Sequence, residues 1–387
     1  MNNISFFIWP VLMAAVSCCA QEVRLRKTVT ADTYAVVAIA ISPDGRTLAT
    51  GAFEGTVELW DVATATNTRK MRGHTAVVNF VAFSPDGKYV VSSGEDVKTN
   101  FWEVASGKAT AVVYWGDCAA LSHDGKLFGS FRKGAGIRLW EVPIGKPPRT
   151  IKDRTGNAVS MIFSPDTTIL AIGGYNPSVK LWNVPQERVA ATVSADSGIV
   201  RSLAIAPDGK TLAYGTEEKG IGLLDVATGR LKATLVGNGG PAYALAYTPD
   251  GKILASAGQD MVIKLWDVAS RRNLSTTKGH KDIVTSLVFG PDGSFLVSGS
   301  YDGTIKFWDI VKGDTSQPQH RSTGPERASG KAPVETGMRS RSGVGVLVQR
   351  SLTTRDRTRE CPETRWQEID HSDADSLCPD SGNSGDT

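Results

Sequence analysis

Between Ser286 and Asp309 the chain reads SLVFGPDGSFLVSGSYDGTIKFWD. Short apolar runs, alternating in part with polar positions, are broken by a Pro-Asp-Gly turn and then by Asp302-Gly303. This pattern predicts three β-strands joined by tight turns. Pro fits the second position of such a turn, Asp caps it with its side chain, and Gly takes the positive φ. A fourth run, such as RLKATLVG from Arg230 to Gly237, precedes the next unit of the same kind. The turn recurs as SPDG at Ser42 and Ser84, SHDG at Ser122, SPDT at Ser164, APDG at Ala206, TPDG at Thr248 and GPDG at Gly290. The steps are 42, 38, 42, 42, 42 and 42 residues. A second marker keeps the same beat at Trp60, Trp102, Trp140, Trp182, Leu224, Trp266 and Trp308. The chain is therefore one four-stranded unit repeated seven times. A single such unit cannot bury both faces, whereas radial stacking of seven does.

The in-phase turns and tryptophans resemble the WD-repeat family of β-propellers over residues 22–311. The SPDG and DVATG-like motifs look like those of large bacterial WD-repeat families. The resemblance implies an all-β fold, a seven-bladed propeller at 21–311. Closure is also legible. After Trp308-Asp309 no alternating apolar strand follows, whereas Val23, Leu25 and Val29 alternate before the first repeat. The N-terminal run is expected to be the outer strand of the seventh blade, hiding its edge. The short repeat loses its four residues between Trp102 and Ser122, which predicts a shortened loop into the third blade.

Aligned on the repeat, the second blade presents His74, Ser92, Asp96 and Trp102, and the seventh presents His280, Ser298, Asp302 and Trp308. A search for nucleophiles would flag Ser, His and Asp together. In the WD-repeat family these positions form a buried hydrogen-bond network ending on the indole N–H, and the duplication at equivalent places suits a structural device. Asn238 replaces His in blade six, blade five carries Asp196, Tyr214, Glu218 and Leu224, and blades one and four keep the tryptophan but not the set.

The resemblance also implies that partners meet the top face, just before the network Asp and shortly after the network His. The candidate partner-binding residues on that basis are Phe53, Trp115, Tyr175, Arg201, Tyr243 and Tyr301, of types enriched at binding hot spots. Trp115 is placed through Ser122, across the deletion.

Composition narrows the alternatives. A hydrophobic fraction of 41% with 21% charged residues suits a folded domain, and a net charge of +3 argues against nucleic acid as a partner. None of the five cysteines forms a C-x-x-C pair, so no metal site is expected, and Cys118 reads as a small core residue. No cofactor and no catalytic residue are assigned. Gly237 to Pro241 is glycine-rich but opens no helix, which argues against a phosphate cradle. Residues 4–20 are uncharged and apolar, too short to span a bilayer and interrupted by Pro10. They read as an export signal over 1–20, cleaved after Ala20 or, through AVSC, lipidated at Cys18; the alternatives are an uncleaved anchor and a mis-called start codon. From 312 to 387 the repeat stops. Residues 321–359 hold nine basic and three acidic residues, and 360–387 one Arg and eight acids, which predicts a disordered tail. With the export signal, the WD-repeat resemblance implies a monomeric, exported, non-catalytic scaffold for a protein or peptide, periplasmic, surface-bound or secreted. The alternatives are a cytoplasmic assembly scaffold and a propeller enzyme.

Overall fold

The computed structural model describes residues 21–312, apart from Asp32, Asp117, Lys133, 152–156, 196–197 and Lys219. The expected export signal, Cys18 and nearly all of the expected tail lie outside the described residues.

Seven four-stranded antiparallel sheets follow one another. The chain begins with β1 (Gln21–Thr30). Blade one is β2 (Val36–Ile41), β3 (Thr47–Ala52), β4 (Thr56–Asp61) and β5 (Thr66–Arg72). Blade two is β6 (Val78–Phe83), β7 (Tyr89–Gly94), β8 (Lys98–Glu103) and β9 (Ala109–Tyr114). Blade three is β10 (Cys118–Leu121), β11 (Leu127–Arg132), β12 (Gly136–Glu141) and β13 (Arg149–Ile151). Blade four is β14 (Ala158–Phe163), β15 (Ile169–Gly174), β16 (Ser178–Asn183) and β17 (Arg188–Ser194). Blade five is β18 (Val200–Ile205), β19 (Thr211–Thr216), β20 (Ile221–Asp225) and β21 (Leu231–Leu235). Blade six is β22 (Ala242–Tyr247), β23 (Ile253–Gly258), β24 (Val262–Asp267) and β25 (Asn273–Lys278). Blade seven is β26 (Val284–Phe289), β27 (Phe295–Ser300) and β28 (Thr304–Lys312), completed by β1. Each innermost strand packs beside the next, from β2 through β6, β10, β14, β18 and β22 to β26, and β26 meets β2 again. The architecture is a closed seven-bladed propeller.

β1 runs antiparallel to β28, from Gln21 opposite Lys312 to Thr30 opposite Thr304. The alternation expected in β1 is broken, because a bulge between Leu25 and Lys27 shifts the register. Val23 stays buried while Leu25 is 49% exposed. At the bulge Arg26 hydrogen-bonds Asp309 through Nε at 2.7 Å and lies over the Phe295 ring.

The core lies between blades, as the stacking argument requires. Trp102 packs against Val57, Leu59 and Met71 of blade one, and Trp308 against Ile263 and Leu265 of blade six. Each marker tryptophan faces the preceding blade in this way. Burying each such aliphatic side chain is worth roughly 1.5–3 kcal/mol, so these interfaces dominate the fold's stability.

The Pro-Asp-Gly turns, with His-Asp-Gly in blade three and Pro-Asp-Thr in blade four, join the first and second strands of each blade and link the ring at that end. In blade one Ser42 Oγ donates to Asp44 Oδ1 at 2.5 Å, and the amide of Thr47 donates to Ser42 Oγ at 2.9 Å. Gly45 has φ +72°, and a Cβ there would lie 3.0 Å from Pro291 of the preceding turn. Only a residue without Cβ meets both demands easily. In blade four the same position is Thr167 at φ +62°, a strained conformation for a β-branched residue.

Blade three divides its deletion between two elements. Three residues connect β9 to β10, where five connect β5 to β6, and β10 is four residues long where β6 has six.

Candidate functional site

The two Ser-His-Asp sets form inside their blades. Trp102 Nε1 donates to Ser92 Oγ at 2.7 Å, Ser92 Oγ lies 2.8 Å from His74 Nε2, and His74 Nδ1 lies 2.9 Å from Asp96 Oδ1. In blade seven the corresponding distances are 2.8, 2.6 and 3.0 Å through Trp308, Ser298, His280 and Asp302. One proton arrangement satisfies every atom: the indole donates to serine, serine to Nε2, and Nδ1–H to the carboxylate. Burial raises the pKa of Asp302, but hydrogen bonds from His280, from Thr304 and from the Lys281 amide outweigh it, leaving the group well below the usual carboxylate range. Asp96 is lowered for the same reasons, burial opposed by His74 and the Thr75 amide. Both serines are fully buried and their oxygens already accept from an indole, so neither is placed to attack a substrate.

The other blades substitute parts of this network. In blade six Trp266 donates to Ser256 at 2.8 Å, and Ser256 donates to Asn238 Oδ1 at 2.8 Å. Asp260, with no histidine to receive, pairs instead with Lys264 Nζ at 2.7 Å. That lysine was missed from sequence, although it stands two residues before the marker tryptophan. In blade one Trp60 Nε1 donates to Thr50 at 3.2 Å, while in blade four Trp182 Nε1 is buried without a partner. Blade five exchanges two residues together. Tyr214 takes the place of serine, and its ring lies over Gly222, where a Cβ would come within 2.1 Å. Leu224 then fills the reduced space left for the tryptophan.

In an antiparallel blade, the second turn and the connection to the next blade lie at one end, opposite the Pro-Asp-Gly turns. Phe53, Tyr175 and Tyr301 occupy second turns, while Arg201 and Tyr243 lie where β18 and β22 begin, so all five share that end. Arg201 is the centre of a cluster. Its guanidinium lies 5.6 Å from the Tyr175 ring centroid and 5.8 Å from that of Tyr243, and Nε donates to Glu217 Oε1 at 3.0 Å. The Arg201 side chain is only 10% exposed, so it acts mainly as a post holding two tyrosines from the neighbouring blades. Burial raises the phenol of Tyr243, opposed by Arg201. Tyr301 is raised by burial first and then by Tyr243 and Glu95, whose influence places it beside the same cluster. Its phenol stays protonated and able to donate.

Phe53 is half exposed and lies 6.3 Å, centroid to centroid, from Tyr34, the most exposed aromatic of this face at 81%. Tyr34 was missed because it falls between β1 and β2, outside both sequence markers. Its amide hydrogen-bonds Glu54, and its carbonyl lies beside Gly303 of the Tyr301 turn.

Trp115 does not join this surface. It is 8% exposed and packs with Val91, Phe101 and Phe128. The guanidinium of Arg138 covers its ring at 3.5 Å, and its carbonyl accepts from Ser130 Oγ at 3.2 Å. The shortened connection draws the ring inward, so the exposure expected of Trp115 is corrected to burial. Cys118 is buried, as expected of a small core residue. Among the described residues no group of three or more His, Cys, Asp or Glu side chains is placed to hold a metal.

A family model, WD domain, G-beta repeat (WD40), matches residues 24–61, 65–96, 145–183, 229–267 and 271–309. The two repeats it passes over are the third, with the deletion, and the fifth, with Tyr214 and Leu224. No curated protein matches the chain.

Proposed function

Because the chain is a seven-bladed WD-repeat propeller, a fold that commonly serves as a protein-interaction scaffold, we propose that it binds a protein or peptide on the face opposite the Pro-Asp-Gly turns. One observation carries the reading. Tyr175, Arg201, Tyr243 and Tyr301 come from different blades and converge on one cluster of partly exposed phenols. Phenols held by a buried cation present rigid, amphipathic area at small entropic cost, the character of an interaction hot spot. Phe53 and Tyr34 extend the surface. Trp115 is left out because it is buried.

In this reading the propeller is not catalytic, since its Ser-His-Asp sets are spent on blade structure. It acts as a monomer outside the cytoplasm, exported by residues 1–20, with Cys18 available for lipidation; intact mass of the mature protein tests that part. A mass lacking the first 20 residues, or carrying lipid, supports export, and an unprocessed chain in the cytoplasm refutes it. For the binding face, a cross-linked pull-down compares wild type with a Tyr175→Ala, Tyr243→Ala, Tyr301→Ala variant whose fold is checked by circular dichroism. A prey lost only from the variant supports the face. Identical prey in both refutes it.

A further inference from the structure

The face of each blade that looks toward its predecessor carries a side chain two residues before the marker position. In the other six blades these are Glu58, Arg138, Lys180, Gly222, Lys264 and Lys306. The long ones reach across the blade face: Glu58 pairs with Lys70 at 3.0 Å, Lys264 with Asp260 at 2.7 Å, and Lys306 Nζ donates to Thr28 at 2.9 Å. In blade two the position is Asn100, too short to reach as far. It is 2% exposed, and its Nδ2 has no hydrogen-bond partner. A cleft of about 370 Å³ opens in front of it, between the end of β5 and the β8–β9 face.

Three features of this cleft point the same way. A buried amide donor without an acceptor is costly and favours an occupant that accepts. Three cations line the walls, Arg72, Lys98 and Lys108, of which Lys98 lies 3.9 Å through Nζ from Asp96. The remaining wall is apolar and aromatic, from Trp102, Val112 and Tyr114, the last two exposed. Gly73 keeps the entrance open, since a Cβ there would lie 2.7 Å from Trp102 and 3.4 Å from Asn100 Nδ2. Arg69 holds the two walls together, donating to the carbonyls of Ser106 and Ala105 at 2.9 and 2.8 Å.

We propose that this cleft between blades one and two is a binding site for a phosphate monoester carried on an aromatic body. The phosphate oxygens accept from Asn100 Nδ2 and are balanced by Arg72 and Lys108, while the arene lies along Val112 and Tyr114. The site is separate from the tyrosine cluster, so either assignment stands or falls without the other.

The full chain is titrated calorimetrically with phenyl phosphate and, separately, with inorganic phosphate. Phenyl phosphate is expected to bind, and inorganic phosphate to bind at least about tenfold more weakly, since it leaves the apolar wall unused. Asn100→Leu, which keeps the heavy-atom count of the side chain and removes the donor, is expected to abolish binding. Lys108→Glu lies on the surface, leaves the fold intact, and is expected to weaken binding about tenfold or more. No heat from either probe, with water alone in the cleft, overturns the proposal. Binding unchanged in Lys108→Glu overturns the location, and equal affinity for the two probes overturns the role of the aromatic wall.

Discussion

Asp302→Ala tests whether the histidine, serine and aspartate of blade seven are structural. The carboxylate accepts from four groups: His280 Nδ1 at 3.0 Å, the Lys281 amide at 2.8 Å, and the amide and hydroxyl of Thr304 at 2.9 and 2.5 Å. Lys281 lies at the surface and its amide regains water when the carboxylate is removed. His280 has a fully buried side chain and cannot, and its Nδ1 keeps the Thr304 hydroxyl, 3.2 Å away, as its remaining contact. An imidazole N–H exchanged from a carboxylate to that longer hydroxyl contact costs about 1–3 kcal/mol. For a domain of this size each kcal/mol lowers Tm by roughly 2–4 °C, so thermal unfolding should move down by several degrees. The pH dependence adds a second signature. The folded pKa of Asp302 is depressed, so its contribution is fully present above the unfolded value of about 3.9 and is lost as pH falls below it toward the folded value. Wild type should therefore lose stability below about pH 4 more steeply than Asp302→Asn, which cannot titrate. An unchanged Tm in Asp302→Ala, or parallel acid profiles in wild type and Asp302→Asn, would refute the network.

Thr167→Gly should stabilise the fold by up to about 1 kcal/mol in denaturant titration, the relief of a left-handed β-branched residue exceeding the added entropy of glycine in the unfolded chain. Leu224→Trp alone should cost about 1–3 kcal/mol by overpacking against Tyr214, and Tyr214→Ser in the same chain should recover most of it; additive losses in a double-mutant cycle would contradict the paired exchange. Trp115→Ala should lower stability by about 3–5 kcal/mol while leaving the surface phenols in place, which a partner-binding role at an exposed position would not predict. Val23→Asp should weaken the β1–β28 closure by several kcal/mol through an unpaired buried charge, and should appear as self-association on size-exclusion chromatography once the edge of β28 is freed.

The repeat made the fold legible because its two markers report positions that packing and turn geometry each demand. A Pro-Asp-Gly turn must recur wherever a first strand reverses, and a large aromatic must recur wherever one blade meets its predecessor. Closure was legible for a related reason, since a ring of four-stranded blades that ends after three strands has to borrow its last. The markers say nothing about side chains that escape the beat. Tyr34 lies in the one connection that belongs to the closure, so no repeat pointed to it. Trp115 was placed by counting back from Ser122, which assumes that all four missing residues leave the loop. The chain removed part of them from β10 instead, and a ring expected on the surface turned into the core. Lys264 and Asn100 show the remaining limit. They occupy equivalent positions and differ in charge and in reach, and one completes a network while the other leaves a donor bare before a cleft. Alignment on the period gives the position of each. Whether a side chain at that position reaches a partner is set by its length against the distance across the blade face, and that distance exists only once the ring has closed.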